Sequence, residues 1–177
     1  MSKTEIPVSQ IDIGLGLCAK NIRRFVEDVD ILLDNSSILH ATALAIFACE
    51  ELAKYSELKR ARTSTDGPVI SVDSRLFSNH PYKQKLAGEL LPKDALVLSP
   101  AAFDAASFDS RCFQTEDVGV SPMLRLDCVF VDWKDNGWVF GSTIQINRLK
   151  QFAQSILEVL NELECSPPQV TTEENPN

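Results

Sequence analysis

Residues 37–61, SILHATALAIFACEELAKYSELKRA, carry the strongest constraint on the fold. At 100° per residue His40, Leu44, Phe47, Glu51 and Leu58 share one helical stripe, while Ile38, Ala45, Cys49 and Leu52 share another. The N-terminal half of this helix is therefore apolar nearly all round, and such a helix belongs in the middle of a bundle. Asn35, Ser36 and Ser37 are N-cap candidates, and Lys59, Arg60 and Arg62 suit the negative end of the helix dipole.

A central helix needs others to cover it. Ile11, Leu15, Cys18, Ile22, Val26, Val29 and Leu33 recur at spacings of three and four, which predicts a preceding amphipathic helix ending near Asp34. Residues 63–74, TSTDGPVISVDS, read as a loop because Asp-Gly-Pro breaks regular structure. RLFSNHPYKQKLAGELL reads as a third helical piece, either starting beside Pro81 or kinking there, and ended by Pro92. Residues 93–122 show no sustained period and read as a loop-rich excursion with one short helix near Ala101 to Ala106. Leu124, Leu126, Cys128 and Phe130 then alternate as in a strand. Asp135, Asn136 and Gly137 supply a tight turn, with Trp138, Val139 and Phe140 in the return strand. Leu149, Phe152, Ile156, Leu160 and Leu163 share one face of a last helix, and the polar, Pro-rich residues 165–177 read as a disordered tail. The expected architecture is a single mainly α domain over residues 1–164, a helical bundle with a small β-hairpin before the last helix.

The length of 177 residues fits one domain, and 44% hydrophobic against 24% charged residues allows a real core. No apolar run approaches the roughly 20 residues that span a bilayer. The N-terminus MSKTEIPVSQ lacks an apolar signal core, so a cytoplasmic protein with no membrane partner is expected. Five cysteines (Cys18, Cys49, Cys112, Cys128 and Cys165) are odd in number and form no Cys-x-x-Cys pair, so they read as reduced, packing thiols. With only two histidines, neither a metal nor any other cofactor is expected.

The net charge of −8 disfavours nucleic acid on average. Yet Lys54, Lys59, Arg60, Arg62, Arg75, Lys83 and Lys85 stand against Glu57, Asp66 and Asp73 between positions 54 and 85, a local +4 on a −12 remainder. Such a stretch is either a solvated face or a local phosphate-binding patch. His40 lies on the stripe of Leu44 and Phe47 and reads as a hydrogen-bonded core or boundary histidine. His80 sits in a polar stretch between Arg75 and Lys83 and reads either as a cap residue or as a proton-transfer group. The stripe geometry points Glu51 toward the apolar side, where it must be protonated or paired with Lys54 or with a cation of the third helical piece. Glu50 is then expected on the solvent face, paired with Lys54 at i, i+4.

HATALAIFACEELAK, FSNHPYK and LRLDCVFVDWKDNGWVF, followed by a final amphipathic helix, together resemble the AbiV type of abortive-infection protein. That family pairs an Ala-rich helix ending in Glu-Glu-x-x-Lys with a His-x-x-Lys element and a late aromatic strand pair. Glu50, Glu51 and Lys54 match the first element, and His80 and Lys83 the second. Ala53 replaces the usual glycine before the lysine. The family is grouped with the HEPN superfamily of helical bundles, many of whose members are metal-independent ribonucleases with an Arg-x(4–6)-His motif. Arg75 and His80 fit that spacing, although Leu76 stands where a polar residue is usual.

The resemblance implies a phage-defence ribonuclease with Arg75, His80 and Glu51 as its catalytic set and with Lys54, Lys83 and Glu50 contacting substrate. His80 would move the proton, Arg75 and Lys83 would face the phosphate, and Glu51 would orient one of those cations. It also implies a homodimer in which two copies of Arg75 and His80 face one another. The alternative is a non-catalytic module that arrests growth by binding a phage or host protein. Trp133 and Trp138 would then either anchor that contact or pack against the last helix.

Overall fold

The computed structural model describes residues 2–92, 131–134, 137–140 and 146–166, with side chains excepted for 131–140. Strand β1 (Lys3–Pro7) leads directly into α1 (Val8–Asp34), and α2 (Ile38–Thr63) follows after a three-residue turn. Then come β2 (Val69–Asp73), the single turn α3 (Arg75–Ser78) and α4 (His80–Leu90). Strands β3 (Val131–Lys134) and β4 (Gly137–Phe140) and the long helix α5 (Ile146–Cys165) complete the described residues.

α2 is the centre, as its composition requires. Ala41, Thr42, Ala43, Ala45, Ile46, Ala48, Cys49, Glu50, Leu52 and Ala53 are all buried, a set that runs round the whole helix. α1, α4 and α5 pack against it, and α1 also meets α5. The buried residues of α1 are Ile11, Cys18, Ala19, Ile22, Val26, Val29 and Leu33, the stripe expected from spacing. On α5 they are Leu149, Phe152, Ala153, Ile156 and Leu160, again the expected face. Burial pushes the Cys18 thiol up to about 12 and raises Cys49 further still, so both behave as small apolar side chains. Cys165 ends α5 and is exposed.

One sheet was not expected. β1 pairs antiparallel with β2, Lys3 opposite Asp73 and Pro7 opposite Val69, so the segment read as a loop contains a strand. Val69-Ile-Ser-Val alternates exposed and buried, with Ile70 and Val72 turned into the core. The Val8 amide, first of α1, donates to the Pro68 carbonyl at 3.0 Å, so the strand pair also satisfies a helix-terminal donor. The late hairpin is present, with Trp133 opposite Trp138 and Lys134 opposite Gly137; Gly137 is thus the first residue of the return strand. Residues 93–122, the early part of the expected strand (124–130) and residues 167–177 lie outside the described residues. So does the question of what the two tryptophan side chains touch.

The α1–α2 turn carries a local cost. Ser36 has φ of 59°, in the left-handed region, with its amide bonded to the Leu33 carbonyl and that of Ser37 to the Leu32 carbonyl. This is the two-bond helix ending in which glycine is usual. Ser37 precedes α2, but its hydroxyl meets His40 Nδ1 at 3.0 Å rather than a backbone amide. His40 is therefore an exposed, local partner and not a core residue. Replacing Ser36 with glycine removes the left-handed penalty, and Ser36→Gly is expected to gain about 1 kcal/mol of unfolding free energy in urea denaturation.

Candidate functional site

The break between α3 and α4 is built from short-range hydrogen bonds. Asp73 Oδ1 accepts from the Arg75 amide at 2.9 Å and opens the α3 turn. Asn79 then leaves helical geometry at φ −109° and ψ 104°, and its side-chain oxygen accepts from the Tyr82 amide at 2.8 Å. Pro81, which has no amide to offer, falls in the first turn of α4, where none is needed. Of the two sequence readings, the helix that starts beside Pro81 is the observed one. His80 is thereby fixed as the first residue of α4, with Lys83 and Gln84 three and four positions on and sharing its face.

That face meets Glu50. His80 Nδ1 lies 2.6 Å from Glu50 Oε2, Lys83 Nζ lies 3.0 Å from the same oxygen, and Gln84 Nε2 donates to Oε1 at 2.8 Å. The Glu50 side chain is 3% exposed and that of Lys83 is 7% exposed, whereas His80 is 42% exposed. A buried carboxylate is thus held by a buried ammonium, a buried amide and an imidazole that reaches the surface. The expectation of Glu50 on the solvent face, paired with Lys54, is overturned. Glu50 follows Ile46 and precedes Ala53 and Glu57 at helical spacing, and this is a side of α2 that α4 covers.

Glu51, 100° further round, faces a different neighbour. Its Oε1 takes Lys54 Nζ at 2.6 Å, with both side chains largely buried, and it stands beside Cys18 of α1, whose thiol its charge helps to raise. Of the three expectations for Glu51, the pairing with Lys54 is the one observed. The orienting of an α4 cation falls to Glu50 instead, and Gln84 is a participant that the sequence reading missed. Glutamine at i+4 from a histidine carries no distinctive signal until the partner across the bundle is known.

Arg75 is held apart from this arrangement by its own partners. Its Nε and Nη2 meet the Asp73 carboxylate at 3.1 and 2.7 Å, and its guanidinium stacks 4.2 Å from the Tyr82 ring centroid. Those hydrogen bonds hold the Asp73 carboxyl below its usual range. Helical period sets Tyr82 about 200° round α4 from His80, so stacking draws Arg75 to another side of that helix.

The cationic stretch is also largely neutralised. Arg60 pairs with Glu57 at 2.6 Å and Arg62 with Asp12 at 3.5 Å. Lys59 does not serve its own helix end; it donates to the Leu163 and Ser166 carbonyls at the C-terminus of α5. The +4 of the sequence is therefore distributed largely over ion pairs and a helix cap.

Removing one member of a buried pair strands the other. Lys83→Met is expected to destabilise the fold by about 3 kcal/mol in urea denaturation, and adding Glu50→Gln should recover most of that loss.

No helix among the described residues is long and apolar enough to cross a membrane. Neither the curated proteins nor the solved structures offer a match to this chain. The family model HEPN_AbiV, described as AbiV, matches residues 10–163, which span α1 to α5 and include Glu50, His80, Lys83 and Gln84. The chain belongs to the AbiV family of HEPN-type abortive-infection proteins.

Proposed function

We propose that this abortive-infection protein is an endoribonuclease in which His80 moves the proton of a ribose 2′-OH. The observation that carries the reading is the 2.6 Å contact between His80 Nδ1 and the buried Glu50 carboxylate. A carboxylate oxygen only accepts, so Nδ1 carries the ring proton and Nε2 is the basic atom. An imidazole with its far nitrogen anchored on a carboxylate and its ring reaching the surface is the arrangement that general-base catalysis uses.

In the proposed reaction Nε2 takes the 2′-OH proton and the 2′-oxygen attacks the adjacent phosphorus. The bond from phosphorus to the 5′-oxygen breaks, and that oxygen takes a proton from solvent, leaving a 2′,3′-cyclic phosphate and a 5′-OH. Arg75, committed to Asp73 and Tyr82 on another side of α4, is given no part in this step. Lys83 neutralises Glu50 rather than the substrate, and Lys54 is occupied by Glu51. RNA from cells expressing the wild type should be fragmented and RNA from cells expressing His80→Ala intact. Wild-type toxicity with intact RNA would sink the nuclease reading.

A homodimer is proposed as well, on a different surface from the expected one. The outer stripe of α1 exposes Ile13, Leu17 and Ile31 at 55, 62 and 59%, with Lys20, Arg24 and Glu27 between them. Two antiparallel copies centred on Arg24 would set Leu17 against the partner's Ile31 and Lys20 against the partner's Asp28. α1 and α4 pack on different sides of α2, so this contact leaves His80 uncovered. Light scattering should give twice the chain mass for the wild type and a single chain for Leu17→Glu.

A further inference from the structure

Gln84 is the least economical residue at the site. It is 1% exposed, and while Nε2 donates to Glu50 Oε1 at 2.8 Å, its Oε1 is buried with no hydrogen-bond partner among the described residues. A methionine or leucine would fill the same volume without an orphaned acceptor. The amide is therefore oriented by what its donor end does, and that end touches one group, the Glu50 carboxylate.

The two Glu50 oxygens are unequally loaded. Among the described residues Oε2 receives both His80 Nδ1 and Lys83 Nζ, and Oε1 receives Gln84 Nε2. Rotation of the carboxylate about its terminal bond would keep Lys83 within reach through its flexible stem, but it would withdraw the acceptor from the imidazole. The Gln84 amide blocks that rotation. Its planar NH2 group approaches from a helix position fixed by α4, and the carboxylate that it meets is fixed by α2.

We infer that Gln84 is a positioning residue: by holding Glu50 Oε1 it keeps Oε2 on His80 Nδ1 and so keeps His80 in the single tautomer whose Nε2 is basic. The inference rests on the proposal that His80 is the proton-transfer group, and it assigns the control of that group to an amide that never meets substrate. Lys83, by contrast, supplies the charge that lets Glu50 be buried, a role that any cation of the same reach could fill.

The test reads the tautomer directly and needs no RNA. The full chain has two histidines, His40 and His80, so a long-range 1H–15N correlation spectrum of the labelled protein resolves both rings, and His80→Ala identifies the His80 signals by their loss. The wild type should show His80 protonated on Nδ1. In Gln84→Met, which keeps the volume but removes the donor, the ratio of Nδ1–H to Nε2–H tautomers should fall about tenfold or more, as loss of a hydrogen bond to a charged group requires. Gln84→Asn keeps an amide but is one methylene too short to reach Oε1, and it should shift the ratio the same way if the methionine variant does not fold.

A wild-type ring protonated on Nε2 alone overturns the inference without any variant. So does a folded Gln84 variant that keeps the wild-type ratio. Where cleavage is measurable, Gln84→Met should lower kcat and leave KM unchanged. Absence of cleavage by a wild type with the Nδ1–H tautomer counts against the nuclease and not against the role of Gln84.

Discussion

Because α2 has almost no solvent face through its first half, every neighbouring element is placed by the need to cover it. Alanines at 41, 43, 45, 48 and 53 keep the helix narrow, so α1, α4 and α5 can approach closely from different sides. Each supplies an apolar stripe, and at about 25 cal/mol per Å² such burial is the main favourable term in the fold. Charged groups can enter this interior only when paired. Two acidic side chains do so, and the difference between them shapes the site. Glu51 points along α1 and is satisfied within its own helix by Lys54, whereas Glu50 points at α4 and, among the described residues, draws its partners from it.

That arrangement ties stability and chemistry to the same carboxylate. Lys83 offsets its charge, Gln84 holds its orientation, and His80 carries its influence to the surface. Four other cations of residues 54–85 are spent on structure: Lys59 closes the end of α5, Arg60 and Arg62 pair with carboxylates, and Arg75 is divided between Asp73 and Tyr82. A protein of net charge −8 has little general attraction for polyanions.

The long helices were legible because each has one periodic face, and period is a local property. The faces of α1 and α5 were legible from spacing, and Pro81, whose effect extends only a few bonds, marked either the start or a kink of the third helical piece. The β1–β2 pair was not legible: five residues at the N-terminus find their partner about 66 positions away, and neither strand is long enough to announce itself. The sides of α2 were not legible either. When a helix is apolar all round, period cannot say which stripe meets which neighbour, and so Glu50, the more deeply buried of the two acids, was read on the solvent face.

The sequence by itself determined that the chain forms a helical bundle around residues 37–61, that Pro81 marks either the start or a kink of a helix, and that Glu50, Glu51, Lys54, His80 and Lys83 deserve scrutiny as a family pattern. Only the tertiary structure decided that Glu50 is the buried acid, that Lys83 is its counter-charge and that Gln84 belongs with them. The reason is physical: helical period and capping are fixed by neighbours within a turn or two, while a buried carboxylate is defined by groups some thirty residues away whose approach depends on how two helices pack.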